Sequence, residues 1–511
     1  MTPNTRRAET DWFKRDLGDL RAEATRAAKI GVAGQVATLV LGTVSMAVLS
    51  RMLNPDDVGL FALASSIVAL LSVALETGFP YSLMQRDGLN HEQASAYFWF
   101  MLMLSVAAAA VGCAAAIPAG WIFGRPEVAS IVAVLSLGLP VTTVGMTHSV
   151  ILRRNMRQGA MVISGIVASI LSIGSATAAA VIGWDWWALV IQALVLSASK
   201  CALWWWFCSW RPGPPRRGSG IRQVIAIGST WSSSEISGLI RRSADQLILG
   251  WWWGADVVGI YSRGVVLSSL LFTQGIVPIM SAVWPALVRI HGDRERLHGA
   301  LLKVADVIFF VAVPASAFLI LAADPVVLLM LGKKWVACVS IMQISLLGLA
   351  SVSTIGSVAS LYASATGNVR AISRTAWVAL PMSIFGITAT LPLGAVAVAS
   401  ALAGVTALTS WLALRSALSG SGLDATTVCH RLIPPLIHSL VASAASSVAL
   451  EWLTSGWPPA IRAIGAGLVM VAVYAGGWCM TARGRTHVRQ MLEVGLGSPG
   501  IRIAHVIWGR S

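Results

Sequence analysis

Apolar runs of about the same length, parted by short polar stretches, recur along the whole chain. They fall near 30–50, 60–80, 96–118, 128–148, 160–182, 186–208, 224–250, 257–284, 301–323, 338–363, 375–391, 395–414, 436–453 and 461–481. A helix needs roughly 20 apolar residues to cross about 30 Å of hydrocarbon, and these runs have that length. None shows the strict alternation of a membrane β-barrel strand. The pattern therefore predicts an all-α integral membrane protein with about 14 transmembrane helices. Pro392 and Gly394 divide the run at 375–417 into two spans.

Composition agrees with this pattern. Of 511 residues, 56% are hydrophobic and 12% charged, with a mean hydropathy of +0.74. A soluble domain carries about 25% charged residues. The six cysteines form no CxxC pair. They read as small apolar side chains, with no disulfide framework, no metal site and no cofactor expected. Residues 1–29 are polar and basic and lack the apolar core of a signal peptide. Within them, Trp12, Phe13, Leu17 and Leu20 share one side, which fits a short interfacial helix, and the composition fits a disordered basic tail equally well.

The net charge of +15 is distributed unevenly. With fourteen spans, 28 of the 37 Lys and Arg residues fall on the side of the termini. Such a bias marks the cytoplasmic face, so both termini are expected there. No compact basic domain is present to hold a nucleic acid. Trp204 to Trp206 end one span on the inner side, and Trp184, Trp186, Trp187 and Trp251 to Trp253 end spans on the outer side. Indole rings favour the headgroup region, so these mark two interfacial belts.

The stretch 209–223, SWRPGPPRRGSGIRQ, reads as a linker between two six-helix halves. An internal echo spans it. PDDVGLFAL at 55–63 corresponds to ADVVGIYSR at 255–263, with Gly59 matching Gly259 at an offset of 200. Asp56, Val58 and Phe61 likewise match Asp256, Val258 and Tyr261. Two copies leaving the same side of the membrane make a parallel repeat, and two such halves leave a cleft between them.

The charges inside spans are the candidate chemistry. Ionisable groups at membrane depth cost about 2.5–3.5 kcal/mol each even on a lenient scale, so they normally face a cavity or a partner. At about 100° per residue, Ser234, Glu235, Gly238, Arg242 and Asp245 fall in one sector, with Arg241 at its edge. Arg263 lies in the next span and Lys200 in the one before. Guanidinium groups suit phosphate oxygens through their bidentate fork. The spacing equally allows Asp245 to pair with Arg241 or Arg242 within the helix, and Lys200 to snorkel. Glu76 is a candidate for a coupling ion or for an ion pair. Asp56 and Asp57 are expected to cap the helix after Pro55, with Arg51 in the short loop before it, and Asp306 is a candidate interfacial anchor.

SRMLNPDDVGLFALASSIVALLSVALETGFPYSLMQR (50–86) resembles the opening of the polysaccharide-transporter branch of the multidrug/oligosaccharidyl-lipid/polysaccharide exporter superfamily. RRSADQLILGWWWGADVVGIYSRG (241–264), PALVRIHGDRERL (285–297) and MLGKKW (330–335) are similar to later family features, in the same order. The resemblance implies a flippase for undecaprenyl-diphosphate-linked oligosaccharide units in the bacterial inner membrane, serving exopolysaccharide or lipopolysaccharide synthesis. It implies two six-helix bundles around a V-shaped central cavity with alternating access, plus two C-terminal helices. A polysaccharide polymerase and a chain-length regulator are possible partners on this reading. The expected divisions are 1–29, a basic cytoplasmic N-terminus; 30–208, the first bundle; 209–223, the linker; 224–414, the second bundle; 415–481, two further helices; and 482–511, a basic cytoplasmic tail. Substrate-binding residues would be Arg241, Arg242, Asp245, Glu235, Arg263 and Lys200. A multidrug or cation antiporter of the same superfamily is the nearest competing reading, although that would favour an acidic cavity. A membrane polymerase or glycosyltransferase would need acids or a base in a sizeable outer loop; the outer loops are short and no catalytic motif stands out, so no enzyme is expected.

Overall fold

In the computed structural model, residues 20–73, 89–215, 221–348, 354–453 and 459–480 are described, with Leu75 and Leu83 between the first two stretches. Every regular element among them is helical. The interfacial helix expected before residue 20 lies outside the described residues.

Contacts divide the chain into two compact units, Met1–Gly259 and Ile260–Ser511. The first holds α1 (Leu20–Met52), α2 (Pro55–Val73), α3 (His91–Phe123), α4 (Pro126–Arg154), α5 (Gln158–Ile182), α6 (Trp187–Phe207) and α7 (Ile221–Trp253). It also holds the first turn of α8 (Ala255–Leu271). The second unit continues through a π-helical turn, Phe272–Ile276, into α9 (Val277–Arg289), α10 (Arg294–Leu321), α11 (Ala323–Met330) and α12 (Cys338–Gly348). It ends with α13 (Thr354–Ala365), α14 (Val369–Thr390), α15 (Ala395–Leu418), the short α16 (Ala425–His430), α17 (Ile433–Leu453) and α18 (Pro459–Cys479).

Eleven helical segments among the described residues are long and apolar enough to cross a membrane. Two shorter apolar ones are Cys338–Gly348 and Ile464–Cys479. The protein is thus a multi-pass membrane protein. Several expected boundaries shift. α1 runs to Met52, so Arg51 lies in its last turn rather than in a loop. Of the run at 338–363, Cys338–Gly348 and Thr354–Ala365 are helical, and residues 349–353 lie outside the described residues. The span near 257–284 carries the π-helical turn just before Pro278. Pro278 has no N–H to continue the regular ladder, and a wider turn there accommodates the loss.

Local chemistry explains the helix starts. Asn54 precedes α2, and its N–H donates to Asp57 Oδ2 at 3.0 Å. That is the reciprocal half of a capping box. Asp57, expected as a cap, therefore is one. Asp56 is not: it accepts both Nη groups of Arg125, with Nη1 at 3.2 Å and Nη2 at 2.5 Å. This bidentate pair ties the start of α2 to the turn between α3 and α4. The hydrogen bond to Asp56 raises the pKa of Arg125. α3 starts with Asn90 accepting from the Gln93 N–H at 2.8 Å and ends on Gly124 at φ 62°, which glycine adopts without strain.

The linker segment after α6 is built into the first unit. Trp210 is fully buried among Phe98, Ile151 and Leu152. Its indole N–H donates to His91 Nδ1 at 3.2 Å, and its carbonyl lies 3.2 Å from His148 Nε2. Gly213 donates to Ser95 Oγ at 3.0 Å and accepts from Trp99 Nε1 at 2.8 Å. Arg211 stacks over Trp205 at 5.0 Å and donates to the Cys208 carbonyl at 2.6 Å.

In the second unit, α10, α13 and α15 share a core of Leu301, Ile308, Phe309, Val358 and Leu414. α18 adds a smaller cluster in which Tyr474 donates to the Phe310 carbonyl at 3.1 Å. Asp306 holds Arg431 at 2.8 Å, so this acid serves as an ion-pair partner between α10 and the start of α17.

Candidate functional site

α7 is 33 residues long, about 50 Å at 1.5 Å per residue, and leans against α2. Two contacts set that packing. Gly250 admits the Leu63 side chain into the space a Cβ would fill. One turn away, Ser66 Oγ donates to Gln246 Oε1 at 2.8 Å. The polar contact holds the side chain next to Asp245 and fixes the rotation of α7 about its axis.

That rotation places the charges. Asp245 is buried, at 8% exposure. Its Oδ1 accepts from the Gln246 N–H at 2.8 Å. Arg241 is half-buried and Arg242 exposed. The Arg242 side chain runs back over the preceding turn: a Cβ at Gly238 would lie 3.3 Å from its Nη1. Long helical side chains lean toward the N-terminus in this way, and the glycine leaves the path open. The side chain of Glu235 lies outside the described residues, as does Glu76.

The remaining candidates lie on other helices. Lys200 is half-buried on α6. Arg263 belongs to the second unit. Its guanidinium lies 5.8 Å from the ring centre of Trp335, and its buried Nε has no hydrogen-bond partner among the described residues. Trp335 is fully buried in the turn Lys333–Trp335. The approach of α8 to α12 there is close, since a Cβ on Gly264 would meet the Cys338 carbonyl oxygen at 3.0 Å. A cation over an indole face is attracted by the ring quadrupole, which compensates part of the desolvation of Arg263.

So the described structure brings Arg241, Arg242 and Asp245 together on α7, with Gln246 and Ser66 beside them. It holds Arg263 by a tryptophan rather than by the neighbouring acid its charge invites. Ser66, Gln246 and Trp335 were not singled out from the sequence. All three lie within the stretches that resemble the family, but nothing in a lone sequence marks a neutral serine or glutamine as a contact. Arg125 was likewise visible only as a loop cation, because its partner Asp56 lies 69 residues away.

A family profile described as "Polysaccharide biosynthesis protein" matches residues 48–340, more than half of the chain. The lipopolysaccharide biosynthesis protein WzxC of Escherichia coli (strain K12) is 22% identical over 345 residues, 64% of this chain and 66% of that protein. The succinoglycan biosynthesis transport protein ExoT of Rhizobium meliloti (strain 1021) is 24% identical over 317 residues, 61% of this chain and 63% of that protein. The chain thus spans slightly under two thirds of the length of these relatives. A solved structure of the lipid II flippase MurJ in an inward closed conformation has a similar fold, with a TM-score of 0.70 at 12% identity, covering 87% of this chain and 98% of that one. The matched residues contain both copies of the internal echo, and with more than half of its length matched the chain belongs to the polysaccharide biosynthesis protein family.

Proposed function

We propose that the protein is a flippase that moves undecaprenyl-diphosphate-linked oligosaccharide units across the bacterial inner membrane by alternating access. The observation that carries the reading is the set of charges on α7: two arginines and a buried Asp245 on a long helix of a polysaccharide biosynthesis family member. A diphosphate cannot enter hydrocarbon unaided. Arginines fixed along the route offset its lost hydration at each step, and their forked donors fit phosphate oxygens. Arg263, held over Trp335, offers a further cation in the second unit. On this reading the fourteen-helix plan, the V-shaped cavity, cytoplasmic termini and a neighbouring polymerase with its chain-length regulator belong together as one export machine. The protein itself performs no bond chemistry in this scheme. Glu76 is its candidate coupling-ion residue, and the supporting feature is its place in the matched stretch 48–340.

One observation favours a second reading. The burial of Asp245 would suit a cation antiporter, in which a buried carboxylate exchanges a proton or metal ion for substrate.

A complementation experiment separates these. Arg241→Gln and Arg242→Gln, singly and together, are placed in a strain lacking the gene. Surface polysaccharide, lipid-linked intermediate and membrane protein level are then measured. Normal protein level with lost polysaccharide and accumulated intermediate is expected. Undiminished polysaccharide from the double variant removes these arginines from the route. Absence of intermediate accumulation in the deletion strain overturns the flippase reading.

A further inference from the structure

A polar cavity of about 280 Å³ lies in the second unit, and none of the residues assigned to transport line it. Three chain ends meet around it: the start of α10, the end of α13 and the end of α15. Arg294 is the first residue of α10 and lines the cavity. The acid beside it is already engaged. Asp293 accepts from the Arg296 N–H at 3.1 Å and pairs with the Arg296 guanidinium at 3.2 Å. Arg294 forms no ion pair with any described residue. His291 lines the same wall, with Nδ1 2.7 Å from the Val288 carbonyl, so that Nε2 is the nitrogen left for a ligand.

The lining also carries hydroxyl groups. Ser421 Oγ accepts from the Leu423 N–H at 3.1 Å, which leaves its own proton to donate. Gly420 and Gly422 flank it at φ 75° and 89°, conformations that glycine takes freely. They turn the chain back over the end of α15 and bring Ser421 to the cavity. Thr366 Oγ1 donates to the Tyr362 carbonyl at 2.9 Å, which leaves its lone pairs to accept. Tyr362, 6% exposed, supplies an aromatic wall.

A guanidinium with an imidazole is the usual chemistry for phosphate oxygens. Hydroxyl donors and acceptors beside an aromatic face fit a polyol or sugar. The volume sets the size. Ligand pockets run from about 300 to 1,000 Å³, so this one has room for a small headgroup. We propose that the cavity binds the phosphate ester of a small hydroxylated group. Two sources share that chemistry, a phospholipid with a polyol headgroup and a soluble sugar phosphate. The inference does not depend on the transport reading.

The test uses the purified full-length protein. Binding of glucose 1-phosphate is followed by calorimetry, and retention of phosphatidylglycerol against phosphatidylcholine by native mass spectrometry. Binding in either arm is expected, weakened about tenfold by Arg294→Gln and to a lesser extent by Ser421→Ala. The arm that responds names the source. Melting temperature is recorded for each variant, and Ser421→Ala decides the matter if Arg294→Gln does not fold. The Arg241→Gln/Arg242→Gln variant is expected to bind as wild type, so loss of flipping and loss of this site are told apart. No binding in either arm overturns the proposal, as does binding that neither cavity variant weakens.

Discussion

Gly59 and Gly259 face each other's helix start. A Cβ on Gly59 would overlap the Ala255 carbonyl oxygen, and a Cβ on Gly259 would overlap the Pro55 carbonyl oxygen. Each glycine thus meets the residue four positions before the other. The relation is reciprocal and carries the same offset of 200 that aligns the two sequence motifs. The matching glycines are explained by contact, since each motif has to be free of a side chain where it meets its copy.

This geometry makes alanine harmful at either position. The obstacle is helical backbone, which cannot swing aside as a side chain can. Overpacking costs typically about 1–3 kcal/mol, and the rigid obstacle puts Gly59→Ala and Gly259→Ala at the upper end. Each is expected to reduce monodisperse protein after a heat challenge in size-exclusion chromatography. The double variant is expected to cost less than the sum of the two, because both overlaps are relieved by moving the same two helix starts apart. Wild-type melting of Gly59→Ala would falsify the close approach.

Trp210 is expected to be the strongest stability determinant of the 208–215 segment. It fills a fully buried site and links His91 to His148 through its indole and its carbonyl. Truncating a buried Trp costs about 3–5 kcal/mol. Trp210→Ala should lower the melting temperature and speed tryptic cleavage within 209–223. Trp210→Phe keeps most of the volume but loses the bond to His91, and should fall between. Equal cleavage of wild type and Trp210→Ala would count against the anchoring role.

The Asp56–Arg125 pair is a milder case. Both side chains are more than a third exposed, at 39% and 37%, so solvent screens much of the attraction. Exposed pairs measure about 0.2–1 kcal/mol, and the bidentate geometry favours the upper part of that range. A double-mutant cycle with Asp56→Asn and Arg125→Gln should return a coupling of that size, shrinking as salt rises. A coupling indistinguishable from zero at low salt would remove the pair as a tie between α2 and the α3–α4 turn.

The all-helical, multi-pass character was legible in the sequence because it rests on length and polarity, which bilayer physics reads directly. The close meeting at Gly59 was half legible: the echo showed both glycines, but not that they touch. Asp56 was misread as a helix cap because short-range capping is the usual work of an acid after Asn-Pro. Its true partner, Arg125, required the fold. The strap at Trp210 was hidden because Pro, Gly and Arg in 209–223 read as a solvated linker, whereas one buried indole fastens part of it to α3 and α4. On α7 the sector of charges was visible by helical spacing. Its setting against α2 was not, since that depends on Ser66 and Gln246, two neutral residues 180 positions apart.

Gly238 offers a way to move Arg242 without removing it. A Cβ there would lie 3.3 Å from Arg242 Nη1, closer than most real Cβ contacts, so the guanidinium has to shift by a few tenths of an ångström. Helix propensity acts in the opposite direction, because alanine is favoured over glycine in a helix interior by about 1 kcal/mol. Gly238→Ala should therefore leave protein level unchanged or raised. If Arg242 meets the diphosphate, transport should nevertheless fall, because misplacement of a contact on this scale weakens it while its charge remains. Gly238→Ser adds one polar atom in the same place and should behave alike. The measurement is surface polysaccharide per unit of membrane protein in the complemented deletion strain. A drop at undiminished protein level ties the position of Arg242 to transport. Full polysaccharide from Gly238→Ala, together with a loss from Arg242→Gln, would show that the charge matters and its placement does not, as for a cation acting through the general field of the cavity.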